Sequence, residues 1–223
     1  MYSLVLFDLD GTAFDTSEGI YRTSSMVCRE MGYEPLPPEE KYKIIGPPLK
    51  ECFQIIGMTE QDADRAEKMY IENFFDVGGL RAVPYPGFEN MLKRLQAAGI
   101  KLAVATLKNQ SFVQPIFGKY GYDRYFTTLR GSDRDRGILT KDVVIQLCLS
   151  DCGITDPSTV LMVGDSPYDA EGAERCGCDF AAVTFGFGFR SKKDAQAVSP
   201  VFIAENNQQL CDFILGSSPS FSR

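Results

Sequence analysis

Two aspartates follow the first apolar segment of the chain. The four apolar residues 4–7 are followed directly by Asp8, Asp10 and Gly11. Such a run predicts a buried strand. Residues two apart on a strand point to the same side, so both carboxylates are expected to project together where Gly11 lets the chain turn. Carboxylates this close repel each other unless a cation or proton is shared, and Mg²⁺, which prefers oxygen ligands, suits them best. An aspartate can also attack phosphorus and form an aspartyl-phosphate.

Four more polar residues stand where predicted elements begin or end. Asp165 follows the apolar run 159–163, and Asp169 comes four residues later. Thr106 closes another apolar run, and Lys141 opens a predicted helix. Each has a plainer interpretation when taken alone: a strand-to-helix turn for the aspartates, a helix cap for the threonine and a solvated charge for the lysine.

Strands and helices alternate along most of the chain. The patterns predict strands at 4–7, 101–105, 125–129, 159–163, 180–184 and 201–203, and helices at 18–32, from about 39, and at 49–56, 60–77, 88–98, 110–120, 141–149, 168–176 and 207–215. Alternation of this kind predicts an α/β fold, a doubly wound parallel sheet covered on both faces. Ligands of such sheets bind beyond the carboxyl ends of the strands, where Asp8, Thr106 and Asp165 are expected.

The helical stretch between the first two strands predicts an insertion. We expect residues 1–14 and 84–215 to form the α/β core domain, residues 15–83 a helical cap domain, and residues 216–223 a flexible tail.

Composition narrows the chemistry. The 223 residues are 44% hydrophobic, carry a net charge of -7 and include no histidine, which excludes catalytic triads with histidine and histidine-ligated zinc. The acidic balance without a basic block argues against nucleic acid or an anionic membrane as a partner. Neither a signal peptide nor a membrane-spanning run is evident, and the seven scattered cysteines indicate reduced thiols. A cytoplasmic protein is expected.

Two motifs carry a family resemblance. Phe7-Asp8-Leu9-Asp10-Gly11-Thr12 resembles the first motif of the haloacid dehalogenase (HAD) superfamily of phosphatases, and the run from Gly164-Asp165-Ser166 to Asp169 resembles the fourth. Thr106 matches the second motif by position, and Lys141 the third by spacing. The chain departs from many relatives at the next positions, where Leu107 replaces the common Asn and Asp142 the common Pro. The resemblance implies a Rossmann-like HAD core with an inserted C1-type helical cap.

The same resemblance implies a Mg²⁺-dependent phosphatase. Its implied roles are Asp8 as nucleophile, Asp10 as general acid and then base, and Thr106, Leu107 and Lys141 as binders of the phosphoryl group. Mg²⁺ is held by Asp8, the Asp10 backbone carbonyl and Asp165, with Asp169 completing or orienting the metal shell.

The sequence gives only candidate residues for binding the part of the substrate beyond its phosphate. Residues 45–53 resemble a cap loop of phosphoglycolate phosphatase-like and 5′-nucleotidase-like members, and Arg22 and Lys50 are candidates to bind the far end of the substrate, or are solvated surface charges. Lys108 either adds positive charge to the site or is solvated.

The expected partner is a small phosphorylated metabolite. Phosphoglycolate-type esters are the first choice and nucleoside 5′-monophosphates the second, and a β-phosphoglucomutase-type phosphomutase stays an open alternative. A monomer or homodimer is expected, with cap hinges at 14–16 and 80–85.

Overall fold

The computed structural model describes residues 2–216, and at its centre is a six-stranded parallel sheet. Its strands are β1 (Leu4–Phe7), β4 (Lys101–Asn109), β5 (Thr128–Ser132), β6 (Val160–Gly164), β7 (Asp179–Val183) and β8 (Phe202–Ala204). They lie in the order β5-β4-β1-β6-β7-β8. The order runs outward in both directions from β1 and β6, which are neighbours, so the topological switch point of the sheet lies between these two strands. The predicted α/β fold is confirmed.

Side chains of β1 alternate between the two faces of the sheet. Val5 and Phe7 belong to one buried cluster, and Leu4 and Leu6 belong to another. All four side chains are fully buried, as expected for a central parallel strand that is covered on both sides.

Helices cover both faces. On the Val5 side pack α4 (Phe88–Ala97), α5 (Gln110–Lys119) and α9 (Asn207–Ile214); on the Leu4 side pack α6 (Lys141–Asp151) and α7 (Pro167–Cys176), with the short α8 (Lys192–Gln196). The helices α6 and α7 begin at the carboxyl edge of the sheet and therefore point their first turns at the expected site.

Residues between β1 and α4 form the helical insertion. It contains α1 (Ser17–Glu30), a 3₁₀ helix (Pro38–Ile44), α2 (Leu49–Ile55) and α3 (Glu60–Val77). Both α1 and α2 pack on α3. Phe74 of α3 stacks on Phe112 of α5 with ring centroids 3.8 Å apart, so the apolar interior of the insertion is continuous with that of the sheet. The division into a core domain and a cap domain stays a prediction.

The chain enters and leaves the insertion through a small antiparallel ribbon. Its strands are β2 (Phe14–Asp15) and β3 (Val83–Pro84), and Asp15 pairs with Val83. Two residues are too few for a periodic signal, so the sequence pattern does not show this ribbon.

Three predicted elements differ from the structure in type or by more than two residues at one end. The strand predicted at 101–105 runs on to Asn109, with an irregularity after Ala105. The strand predicted at 125–129 lies at Thr128–Ser132, because Phe126 packs edge-on against Phe117 below the sheet instead of entering the strand. The helix expected from about 39 is a 3₁₀ helix. Of the tail expected at 216–223, residues 217–223 lie outside the described part.

Among residues 2–216, no helix is both long and apolar enough to cross a membrane. The seven cysteines are free, and six of them are buried.

Candidate active site

Three buried carboxylates converge at the switch point of the sheet. Asp8 follows β1, Asp165 follows β6, and Asp169 lies in the first turn of α7. One oxygen from each lies within 4.8 Å of the others, and the residues are 7%, 4% and 1% exposed. The parallel register of β1 and β6 brings the two strand ends side by side, which is why residues so distant in sequence meet.

Backbone geometry fixes Asp165. Its Oδ2 accepts hydrogen bonds from the N–H groups of Phe187 (2.7 Å) and Gly188 (3.0 Å). Gly11 passes close by with φ +82°, and a Cβ on it would lie 2.2 Å from the same oxygen. A glycine is therefore required there both by the left-handed backbone and by the space.

Asp169 is fixed by its own helix. Its Oδ2 accepts hydrogen bonds from the Ser166 hydroxyl (2.7 Å) and from the Ser166 N–H (3.1 Å), and the second of these belongs to a capping box at the start of α7. Its other oxygen, Oδ1, lies 2.5 Å from the Lys141 ammonium.

Lys141 joins two of the acids. Its Nζ donates to Asp8 Oδ1 at 2.7 Å and to the Ala105 carbonyl at 2.9 Å, in addition to its contact with Asp169. The residue is 5% exposed. Gly172 of α7 makes room for its stem, since a Cβ there would lie 2.5 Å from the lysine Cγ.

Burial is the largest single influence on the pKa values of the ionisable groups in the site. Loss of water raises the pKa of Asp8 to about 7, with Lys141 opposing the rise and Asp169 and Asp10 adding to it. Burial, followed by the charges of Asp169 and Asp8, raises the pKa of Asp165 to about 8. Burial alone would lower the pKa of Lys141, but the two carboxylates beside it raise the pKa above the ordinary value.

The donor set fits a hard divalent cation. Three carboxylates face one ammonium, so two negative charges stay unbalanced when all are ionised. Oxygen donors held this close are those that Mg²⁺ and similar ions prefer. A bound dication would offset the repulsion that, together with burial, raises the pKa of Asp8 and Asp165.

Asp10 is held apart from this cluster. Its two oxygens accept hydrogen bonds from the Lys108 ammonium at 3.0 and 3.1 Å. Lys108 is 9% exposed, so the alternative of a solvated surface lysine is wrong. Thr106, also buried, accepts a hydrogen bond from the Lys108 N–H through its hydroxyl at 3.2 Å. The irregular end of β4 thus turns Thr106 and Lys108 toward the site.

A single cavity joins these groups to the insertion. The sheet side contributes all seven of the predicted core site residues, namely Asp8, Asp10, Thr106, Leu107, Lys141, Asp165 and Asp169. Residues of the insertion, including Ile44, Leu49 and Tyr70, close the other side. Arg22 and Lys50 are not among the lining residues. Arg22 pairs with Glu18, and Lys50 pairs with Glu60 and Asp64.

The sequence analysis leaves Lys108 between two alternatives, and its position two residues after Thr106 on one strand is the signal that favours the site. Tyr70 stands at one of the apolar positions of the helix predicted at 60–77, where a tyrosine and a phenylalanine fit the periodic pattern equally well, so the sequence gives no signal for its place in the cavity.

Comparison with known proteins agrees with this geometry. The family model described as haloacid dehalogenase-like hydrolase matches residues 5–183. A 5′-nucleotidase of Pseudomonas aeruginosa is 34% identical over 200 residues, 89% of each chain. A phosphoglycolate phosphatase of Psychrobacter arcticus is 25% identical over 229 residues, 97% of each chain. The crystal structure of a predicted phosphatase from Clostridium acetobutylicum superposes with a TM-score of 0.89 at 30% identity, covering 97% of this chain and 99% of that one. The chain therefore belongs to the haloacid dehalogenase-like hydrolase family.

Proposed function

We propose that the protein hydrolyses small phosphomonoesters through an aspartyl-phosphate formed on Asp8, with Mg²⁺ as its cofactor. The observation that carries the proposal is the position of Asp8 at the end of β1, buried, in hydrogen-bond contact with Lys141 and within 4.8 Å of Asp165 and Asp169. A carboxylate that is oriented by a cation and shielded from water is suited to in-line attack on phosphorus.

Asp8, Asp165 and Asp169 would hold the metal, with the Asp10 backbone carbonyl as a further oxygen. When bound, Mg²⁺ supplies positive charge that offsets the repulsion between the carboxylates and a phosphate dianion. This role fits the two unbalanced negative charges of the cluster.

The other residues serve the two proton transfers and the phosphoryl oxygens. Asp10, anchored by Lys108, gives a proton to the leaving oxygen and later takes one from the water that attacks the aspartyl-phosphate. Lys141, the Thr106 hydroxyl and the Leu107 N–H stabilise the phosphoryl oxygens. All of them line the same cavity.

Movement of the insertion controls entry. Residues 15–83 act as a cap, and the ribbon of β2 and β3 lies in both predicted hinge segments. Cap closure excludes bulk water while the ester is cleaved.

The names of the relatives support two substrate types. Phosphoglycolate phosphatases and a 5′-nucleotidase both match along most of the chain. A phosphomutase would share the nucleophile but return the phosphoryl group to its substrate, so its activity would be isomerisation of a hexose 1-phosphate without phosphate release.

The test is phosphate release from a panel of phosphomonoesters with Mg²⁺ and with EDTA. Asp8→Asn should abolish release, while Asp135→Asn, at an exposed position, should leave it unchanged. Rapid quenching followed by peptide mass analysis should place a phosphoryl group in the segment 4–12. A folded wild-type protein that releases no phosphate from any ester would refute the proposal.

A further inference from the structure

Tyr70 lines the cavity, and its buried hydroxyl has no hydrogen-bond partner in the described part of the chain. The residue is 1% exposed. The ring packs against Phe74 and Phe112, with centroid distances of 5.5 and 6.3 Å, inside a buried aromatic cluster. Buried tyrosine hydroxyls usually find a partner, because an unpaired one forfeits the hydrogen bonds it makes in water. The missing partner is therefore expected to come from whatever fills the cavity.

The cap wall around Tyr70 carries no charge. Its other lining residues are Ile20, Ile44, Gly46, Pro47, Leu49 and Cys52. None of the eight basic residues in 15–83 lines the cavity; these are Arg22, Arg29, Lys41, Lys43, Lys50, Arg65, Lys68 and Arg81. Several have partners elsewhere: Lys41 reaches the Ser17 hydroxyl, and Lys43 pairs with Glu40.

The positive charges on the sheet side of the cavity are already paired with carboxylates. Four aspartates and two lysines line the cavity, and Lys108 and Lys141 each contact aspartate. A divalent cation would bring the net charge of this set to zero. Once a phosphate dianion is bound as well, no positive charge is left for a second anionic group. A carboxylate at the far end of the substrate would find no cation and would be desolvated without compensation.

A second cleft, which adjoins the cavity, also lacks free positive charge. It shares Leu49, Leu107 and Asn109 with the cavity, and its charged residues are three glutamates against Lys50 and Arg134. Lys50 and Arg134 are themselves bound by Asp64. An anionic group that extends into this cleft would meet a net negative surface.

We propose that Tyr70 is a specificity-determining residue that hydrogen-bonds an uncharged polar group, such as a hydroxyl, on the leaving alcohol of the substrate. The preferred substrates are then phosphomonoesters whose leaving group has a hydroxyl or a similar neutral group and no carboxylate. This inference rests on the proposed function and narrows it, placing polyol, sugar and nucleoside phosphates ahead of phosphoglycolate.

Three esters of nearly equal size test the proposal. 2-Hydroxyethyl phosphate, 2-phosphoglycolate and ethyl phosphate differ only in a terminal hydroxymethyl, carboxylate or methyl group. With wild-type protein and Mg²⁺, kcat/KM for the hydroxyethyl ester should exceed that for phosphoglycolate at least about tenfold, as expected for an unpaired buried charge. It should exceed that for ethyl phosphate about three- to tenfold, the worth of one hydrogen bond.

Tyr70→Phe isolates the hydroxyl. The variant should lose the preference for hydroxyethyl over ethyl phosphate, mainly through KM, while its turnover of ethyl phosphate stays within about twofold of wild type. Tyr33→Phe is the matched control, since the Tyr33 hydroxyl donates to Asp62 of the same cap and does not line the cavity. Thermal unfolding of both variants checks that they fold.

The outcomes separate the two proposals. Preference of the wild type for phosphoglycolate would overturn the inference and leave the phosphatase proposal standing. Equal loss on all three esters in Tyr70→Phe, with a changed pH profile, would also overturn it, because the hydroxyl would then act through Asp10. Absence of phosphate release from every ester would instead refute the proposed function. If Tyr70→Phe fails to fold, the ratios among the three esters in the wild type decide.

Discussion

Replacing Lys141 with methionine should leave the buried acids without their cation. The lysine is the only basic side chain among residues 2–216 that contacts Asp8 or Asp169. Methionine keeps much of the apolar stem that packs beside Gly172 but removes the ammonium. The change therefore tests electrostatics with little loss of packing.

The magnitude follows from the burial of the pair. Lys141 and Asp8 have side chains that are 4% and 10% exposed, and Asp169 is 1% exposed. Removing one member of a buried ion pair costs about 3–5 kcal/mol. For a chain of this size each kcal/mol corresponds to about 2–4 °C in Tm, so Tm should fall by about 6–20 °C in EDTA. Mg²⁺ should restore part of this loss, because it supplies positive charge to the same carboxylates.

The assay is thermal unfolding of the wild type and the variant, in EDTA and in Mg²⁺. Lys119→Met is the matched control: the Lys119 ammonium is exposed and donates to the Leu80 carbonyl, so its loss should change the free energy of unfolding by less than about 1 kcal/mol. The double variant Asp8→Asn/Lys141→Met removes a negative charge together with the positive one. It should be more stable than the sum of the two single changes predicts, by about 1–3 kcal/mol.

Phosphate release should fall at least about a hundredfold in Lys141→Met, since a donor to the phosphoryl oxygens is lost. The reasoning is refuted if the variant unfolds within about 2 °C of wild type in EDTA and the double-variant cycle is additive.

Three more outcomes are expected. Asp8 and Asp165 have pKa values raised to about 7 and about 8, so between about pH 4 and 8 the folded protein keeps protons that the unfolded chain has released. Stability without metal should therefore fall as pH rises through this window, and Mg²⁺ should raise Tm more at pH 8 than at pH 5.5, which calorimetry at both pH values measures. Gly11→Ala should destabilise by about 1–3 kcal/mol in denaturant titrations and weaken Mg²⁺ binding in calorimetry, because φ is +82° and its Cβ would meet Asp165; unchanged binding would contradict this. Lys108→Met should lower kcat at least about tenfold with a folded protein, because Asp10 loses its anchor; kcat equal to wild type would mean that the anchor is dispensable.

Strong periodic signals explain what the sequence predicts well. The helix predicted at 60–77 matches α3 to the residue, and the apolar run 4–7 matches β1, because their patterns of burial leave few alternatives. The carboxylates that follow β1 and β6 could be expected to meet because parallel strands share a carboxyl edge.

Tertiary contacts decide the rest. The extension of β4 depends on the partner strand β5, whose Ser132 pairs with Asn109, and the position of β5 depends on Phe126 packing below the sheet. The burial of Lys108 depends on Asp10, ninety-eight residues away in sequence. Arg22 and Lys50 have the charge needed to bind an anionic substrate group, but each forms a salt bridge with a nearby glutamate instead.

The ribbon of β2 and β3 has a consequence for how such chains diversify. Because Asp15 and Val83 are paired neighbours, the helical insertion between them starts and finishes at one point of the fold. A segment attached in this way can be exchanged without altering the strand order, provided that the new segment again covers Phe112 and the apolar surface beside it. Recombination at these two residues would therefore replace the whole insertion while β1 and β6, and the aspartates that follow them, keep their places in the chain.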